Sequence, residues 1–230
     1  NKKDRIVHNA KTSLAEYYYN NKDYSLAVKY YNDVIKNKKD DWYTRHLFNH
    51  AWCLLKENKI GLAINNMKES FEKSKDPRYI SMKEQILQSF VVFFVHGNRI
   101  TEGINFYIDN VNDPTDYFIS MAKKTAHKGL FKDTTDVIKA ALSKANENKK
   151  NNKLVAIRLT ELEIYRNFQQ LDLYYKTANH LRDLNEKEKL PSVDQAEAVR
   201  KISSLVGYLQ VRLSKNLKMN NKEHDESKLK

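Results

Sequence analysis

Apolar residues recur along this chain at intervals of three and four, the spacing that lines one face of an α-helix. Short polar breaks interrupt the pattern at similar distances throughout. Read this way, the sequence predicts helices over 9–20 and 24–36, then 43–56 and 60–74, 79–95 and 100–111, and 117–127 and 131–146. A further pair covers 153–166 and 171–184, and a long last helix spans 192–217. In the second of these, Leu26, Ala27, Tyr30, Tyr31, Val34 and Ile35 form a continuous apolar stripe. No segment shows the strict alternation of a half-buried strand.

The helices come in pairs, and the pairs are internal repeats. In the second helix of each of the first four, one position must be small to let two helices cross: Ala27, Ala63, Gly103 and Thr134. They lie 36, 40 and 31 residues apart. In the first pair Leu14-Ala15, Tyr18, the turn ending at Tyr24, and Ala27, Tyr31 and Val34 follow one pattern. Ala51, Leu54, Ile60, Ala63, Met67 and Phe71 repeat it, closing on Asp76-Pro77. Phe94, Gly97, Ile100, Gly103, Tyr107 and Pro114 repeat it again. Ala122, Gly129, Phe131, Ile138, Ala141 and Leu142 follow it in part, and the fifth pair has no register of its own. These residues resemble the tetratricopeptide repeat family, whose helix–turn–helix unit recurs about every 34 residues. The resemblance covers 8–146 well and 147–217 by continuation.

The resemblance implies an all-α fold, a right-handed α-α superhelical solenoid with a C-terminal capping helix. Each pair has an apolar face that only its neighbours can bury. The expected organisation is a repeat array over 1–190 with about five helix pairs, a capping helix over 191–218 and a flexible basic tail over 219–230. Ala196, Val199, Ile202, Leu205, Val206, Leu209 and Leu213 mark the apolar face of the cap. Pro77 and Pro114 stop helices, lacking an amide hydrogen to continue them. Gly97 and Gly129 are expected to supply left-handed helix caps.

Composition narrows the function classes. Five glycines and three prolines in 230 residues argue against an all-β fold or a glycine-rich phosphate loop. One cysteine, Cys53, excludes an intrachain disulfide and a four-cysteine zinc site. The longest apolar run, 90–95, is far too short to span a bilayer. The chain starts at Asn1 with no charged-then-apolar leader, as expected of an excised domain or a mature chain. Its net charge of +12 sits mainly at the ends: +7 over 1–100, +1 over 101–200 and +4 over 201–230. Such a field attracts acidic partners, anionic surfaces or nucleic acid, although lysine-rich solvated helix faces are the better account of it.

Candidate chemistry is sparse. No His-Glu-x-x-His pair, serine elbow or phosphate loop is present, so no catalytic residue is assigned and no enzyme activity is expected. His46, His50 and Cys53 fall at i, i+4 and i+7 on one helix face, a spacing that brings zinc ligands together. With no ligand evident from a second segment, packing is the better reading, and neither metal nor cofactor is assigned. Asp40-Asp41 and Glu161/Glu163 lack the fixed separation a catalytic acid pair needs. Tyr18, Tyr31, Phe71, Phe94 and Tyr107 sit at core-facing positions rather than as base-stacking platforms.

The family resemblance implies a concave groove lined by first-helix residues that alternate with the packing positions. These are Asn9, Thr12, Glu16 and Tyr19, then Phe48, Trp52, Leu55 and Lys56. Next come Gln88, Val92 and His96, and last Ile119, Lys123 and His127. Phe48 and Trp52 would form an aromatic shelf, unless one packs against the next repeat. Lys56, Lys123 and His127 suit an acidic side chain or terminal carboxylate. Glu16, with Thr12, stands where chaperone-adaptor repeats place their carboxylate clamp, so that clamp is absent. The expected function is a non-enzymatic protein-interaction scaffold with a peptide or protein ligand. A nucleic-acid-associated or regulatory helical-repeat protein that uses its basic surface is the alternative. The stretch His50-Ala51-Trp52-Cys53-Leu54-Leu55-Lys56 is similar to repeats of bacterial envelope and motility-associated assembly proteins, which tilts localisation toward the envelope or periplasm.

Overall fold

The structure is a computed structural model that describes residues 2–147 and 151–187, together with Gly207, Ser214 and Lys215. The described residues form ten helices and no strand. Two units divide the chain, Asn1–Asn148 and Lys149–Lys230. The first holds α1 (Lys2–Asn20), α2 (Tyr24–Val34), α3 (Tyr43–Lys56), α4 (Ile60–Lys73), α5 (Lys83–His96), α6 (Ile100–Asn110), α7 (Thr115–His127) and α8 (Phe131–Glu147). The second contains the hairpin of α9 (Asn151–Asn167) and α10 (Leu171–Lys187). Of the expected capping helix only Gly207, Ser214 and Lys215 are described, all helical; the rest of it and the tail lie outside the described residues.

Within the first unit α1 packs on α2, α3 on α4, α5 on α6 and α7 on α8. Adjacent hairpins then stack through α2 on α3, α4 on α5, α5 on α7 and α6 on α8. This is the all-α stack of hairpins expected of a helical repeat array, in which each hairpin buries its apolar face against the next. The small crossing positions Ala27, Ala63 and Thr134 are fully buried, and Gly103 is buried with them.

Each of the five described hairpins turns by the same device. The residue two places before each second helix has a positive φ: Lys22 at 62°, Asn58 at 58°, Asn98 at 53°, Gly129 at 76° and Gln169 at 58°. The next residue's amide then reaches back five residues to a carbonyl of the first helix. These bonds are Asp23 to Tyr18, Lys59 to Leu54, Arg99 to Phe94, Leu130 to Thr125 and Gln170 to Tyr165, at 2.8–3.1 Å. They satisfy carbonyls that the helix end leaves open. Gln169 thereby sets the register of the fifth hairpin, where Tyr174, 1% exposed, replaces the small crossing residue.

Three local features depart most from the sequence expectation. The helix expected at 9–20 starts at Lys2, because its first two turns carry exposed Ile6 and Val7 and so show no buried stripe to read. Gly129 is left-handed as expected, but Gly97 lies at φ −80° and Asn98 makes that cap. The glycine at 97 answers to space instead, since a Cβ there would sit 2.5 Å from Ile60 Cγ2. Finally, the helix expected from 79 begins at Lys83. Residues 79–82 are held by other bonds: Tyr79 Oη donates to Lys38 O at 2.8 Å, Ile80 N to Asp41 O at 2.9 Å, and Thr44 Oγ1 to Ile80 O at 2.6 Å. Those contacts lace the segment to the α2–α3 loop.

Gly103 provides a test of the crossing geometry. Alanine is the better helix former by about 1 kcal/mol. Its Cβ, however, would stand 2.9 Å from Phe94 ring carbons and 3.0 Å from Met121 Cε. Phe94 packs against both Phe90 and Phe106, so the ring has little room to yield, and overpacking costs about 1–3 kcal/mol. Gly103→Ala should therefore lower stability by about 1 kcal/mol in urea denaturation, net of its propensity gain. A rise in the midpoint would show that the helices part freely here.

Candidate functional site

The expected groove residues fall on α1, α3, α5 and α7. On α1, Asn9 is exposed while Thr12, Glu16 and Tyr19 are half-buried; Thr12 Oγ1 donates to His8 O at 3.1 Å, and Tyr19 meets the Tyr24 ring edge-on. On α3, Phe48 and Trp52 are half-buried and their rings lie 6.4 Å apart. Trp52 stands edge-to-face on Phe93 of α5 at 4.9 Å, so the next repeat takes up part of this shelf. Leu55, at 5% exposure, belongs to the core and offers no surface, because the apolar face of α3 is wider than one stripe. Lys56 is exposed in the last turn of α3. On α5, Gln88 is exposed and bonds Glu84 at 3.1 Å.

Four of the expected residues come together. Val92 and His96 of α5 and Lys123 and His127 of α7 line one cavity of about 490 Å³, joined by Val95, Lys124 and Lys128. Its lining thus combines two valines with three lysines and two histidines. Lys128 is partly committed: its Nζ donates to Val95 O at 2.8 Å and His96 O at 3.4 Å, neutralising carbonyls at the C-terminus of α5. Lys123, Lys124, His96 and His127 are exposed around an apolar floor. Sequence reasoning missed Lys124 and Lys128, although the run Lys123-Lys124-Thr125-Ala126-His127-Lys128 was a legible signal of a basic helix end. The α1 and α3 candidates, with Gln88 and Ile119, do not line this cavity.

A second cavity, of about 580 Å³ between α4 and α6, differs in charge. Glu72, Glu102 and Asp109 line it, and Lys68 is tied to Glu102 at 2.8 Å. It therefore presents no single sign to a ligand.

The histidine–cysteine face of α3 separates in space. His50 is buried and its Nδ1 pairs with the Asn66 side-chain amide at 2.8 Å. Cys53 is fully buried, and burial pushes its thiol up to about 12, so it remains a protonated, inert core group. His46 turns the other way. Its Nε2 lies 3.2 Å from Asp40 Oδ2, and His8 Nε2 lies 2.6 Å from that same oxygen. Burial opposes the Asp40 charge, but the Trp42 amide and the two histidines hold its carboxyl below the usual range. Burial lowers His46, with Asp40 pulling it the other way.

No helix among the described residues is long and apolar enough to cross a membrane. Comparison with family models and with curated proteins finds no match. Among solved structures the chain is similar to one titled MamA MSR-1 C2, at 13% identity and a TM-score of 0.43, over 79% of this chain and 96% of that one.

Proposed function

We propose that this chain is a non-enzymatic protein-interaction scaffold that holds an acidic segment of a partner protein in the α5–α7 cavity. The observation that carries the reading is the lining itself. An apolar floor of Val92 and Val95 is ringed by Lys123, Lys124, His96 and His127. Apolar contact in such a cavity supplies affinity, while cations of one sign select acidic chains and steer their approach. The surrounding helices are stacked hairpins, a rigid support that keeps these side chains in place without closing over a ligand. A bacterial envelope setting is supported by the likeness of the His50–Lys56 stretch alone.

Binding of a fluorescent glutamate-rich peptide with one leucine, followed by anisotropy, tests the reading. Lys123→Glu/Lys124→Glu should weaken binding by at least about tenfold, since two attractive charges become repulsive. Both positions are exposed, so helicity and melting should stay unchanged. If the peptide binds the variant equally well, the cavity is not the site. Preferential binding of single-stranded DNA, abolished by salt, would instead favour nucleic acid on the basic surface.

A further inference from the structure

Side chains from three successive elements meet at the base of the first two hairpins. His8 comes from α1, Asp40 from the α2–α3 loop and His46 from the first turn of α3. One ligand atom from each, two imidazole nitrogens and a carboxylate oxygen, all lie within 4.8 Å of one another. We infer that His8, Asp40 and His46 form a binding site for a divalent transition-metal ion of the zinc class, which ties α1 to the second hairpin.

Both histidine–aspartate donor separations are close to what zinc requires. Zinc binds imidazole nitrogen and carboxylate oxygen at about 2.0–2.2 Å, so tetrahedral donors stand roughly 3.3 Å apart. The His46–Asp40 separation is 3.2 Å already, and His8–Asp40, at 2.6 Å, needs to open by less than an ångström. Two nitrogens and one oxygen form the donor set of open zinc sites, with a fourth position for water. His8 and Asp40 side chains are each 16% exposed, which gives an ion and its water a path in.

The surroundings orient the donors. Asp40 Oδ1 accepts the Trp42 amide at 3.0 Å, which fixes the carboxylate plane and leaves Oδ2 to face the histidines. The His46 ring is nearly buried, and its Nδ1 has no hydrogen-bond partner, so Nε2 is the nitrogen that works. His50 and Cys53, which the helix face alone suggested as co-ligands, take no part.

Cobalt(II) is the probe, because its visible absorption reports geometry and ligand type. The untagged full chain, stripped with chelator, should take up one cobalt per molecule and show no thiolate-to-cobalt charge-transfer band. His8→Gln should weaken uptake by at least about tenfold, since it removes one of three protein ligands. His8→Cys should retain uptake and acquire the thiolate band, a signature that a merely structural role for His8 cannot produce. His180→Gln, on exposed α10, should leave uptake unchanged. A folded protein that takes up no cobalt overturns the inference, and so does uptake indifferent to His8→Gln.

Discussion

Replacing Phe90 with alanine is expected to remove about 3–5 kcal/mol of stability, a large share of what a domain of this size has. Phe90 is fully buried and belongs to an aromatic cluster. Its ring stacks on Phe94 at 5.0 Å and tilts against Phe106 at 4.4 Å, and Phe106 in turn meets Phe71 at 5.3 Å. These four rings come from α4, α5 and α6, so the cluster joins the second and third hairpins. Alanine would leave a cavity that rings held from three helices cannot collapse to fill. Phe90→Leu keeps most of the volume and should cost much less. Guanidinium denaturation of both variants decides the matter: a small loss for alanine would mean that the hairpins slide together after truncation.

Acid should act mainly through His50. Burial, and secondarily Lys59, lower its pKa to about 4, from an ordinary value of 6.5. The folded state therefore keeps the imidazole neutral while the unfolded chain protonates it. Above pH 6.5 both states are neutral and stability is intact; it is lost progressively as pH falls from 6.5 to about 4. The full difference is on the order of 3 kcal/mol. The structural cause is a ring 3% exposed beside Tyr31, with Nδ1 accepting from Asn66 and Nε2 buried without a partner. Protonation would place a charge there with one hydrogen bond already closed to it. Urea midpoints of wild type and His50→Gln between pH 7.5 and 4 should separate in this window. Parallel curves would show that acid acts elsewhere.

The sequence made the repeat legible because crossing points admit few residue types. Ala27, Ala63, Gly103 and Thr134 stand out by size alone, and helical periodicity carries the aromatic core around them. The fifth hairpin defeated that reading because its crossing residue is Tyr174, and only the backbone at Gln169 reveals the register. Tyr79, Ile80 and Met82 continue the apolar rhythm of α5, yet the Tyr79 hydroxyl is tied to Lys38 and the backbones of Ile80 and Met82 are engaged by Asp41, Thr44 and Ser74. Periodicity registers side chains and is blind to such long-range backbone bonds. The cavity was half legible: Lys123 and His127 of α7 were among the expected groove residues, while Lys124 and Lys128 lay one residue beyond them. His8 escaped notice because it precedes the amphipathic part of α1, and its link to Asp40 spans 32 residues.

The lacing of residues 79–82 onto the α2–α3 loop bears on how the chain yields to force. In a simple stack of hairpins each unit touches only its neighbours, so a pull on the ends peels them off singly. Here Ile80 and Tyr79 clasp residues about forty positions earlier, on the far side of the second hairpin. Tension arriving at α5 must break that clasp before α3 and α4 can separate from it. The second hairpin and the entry to the third then release together, as one mechanical block rather than two successive steps.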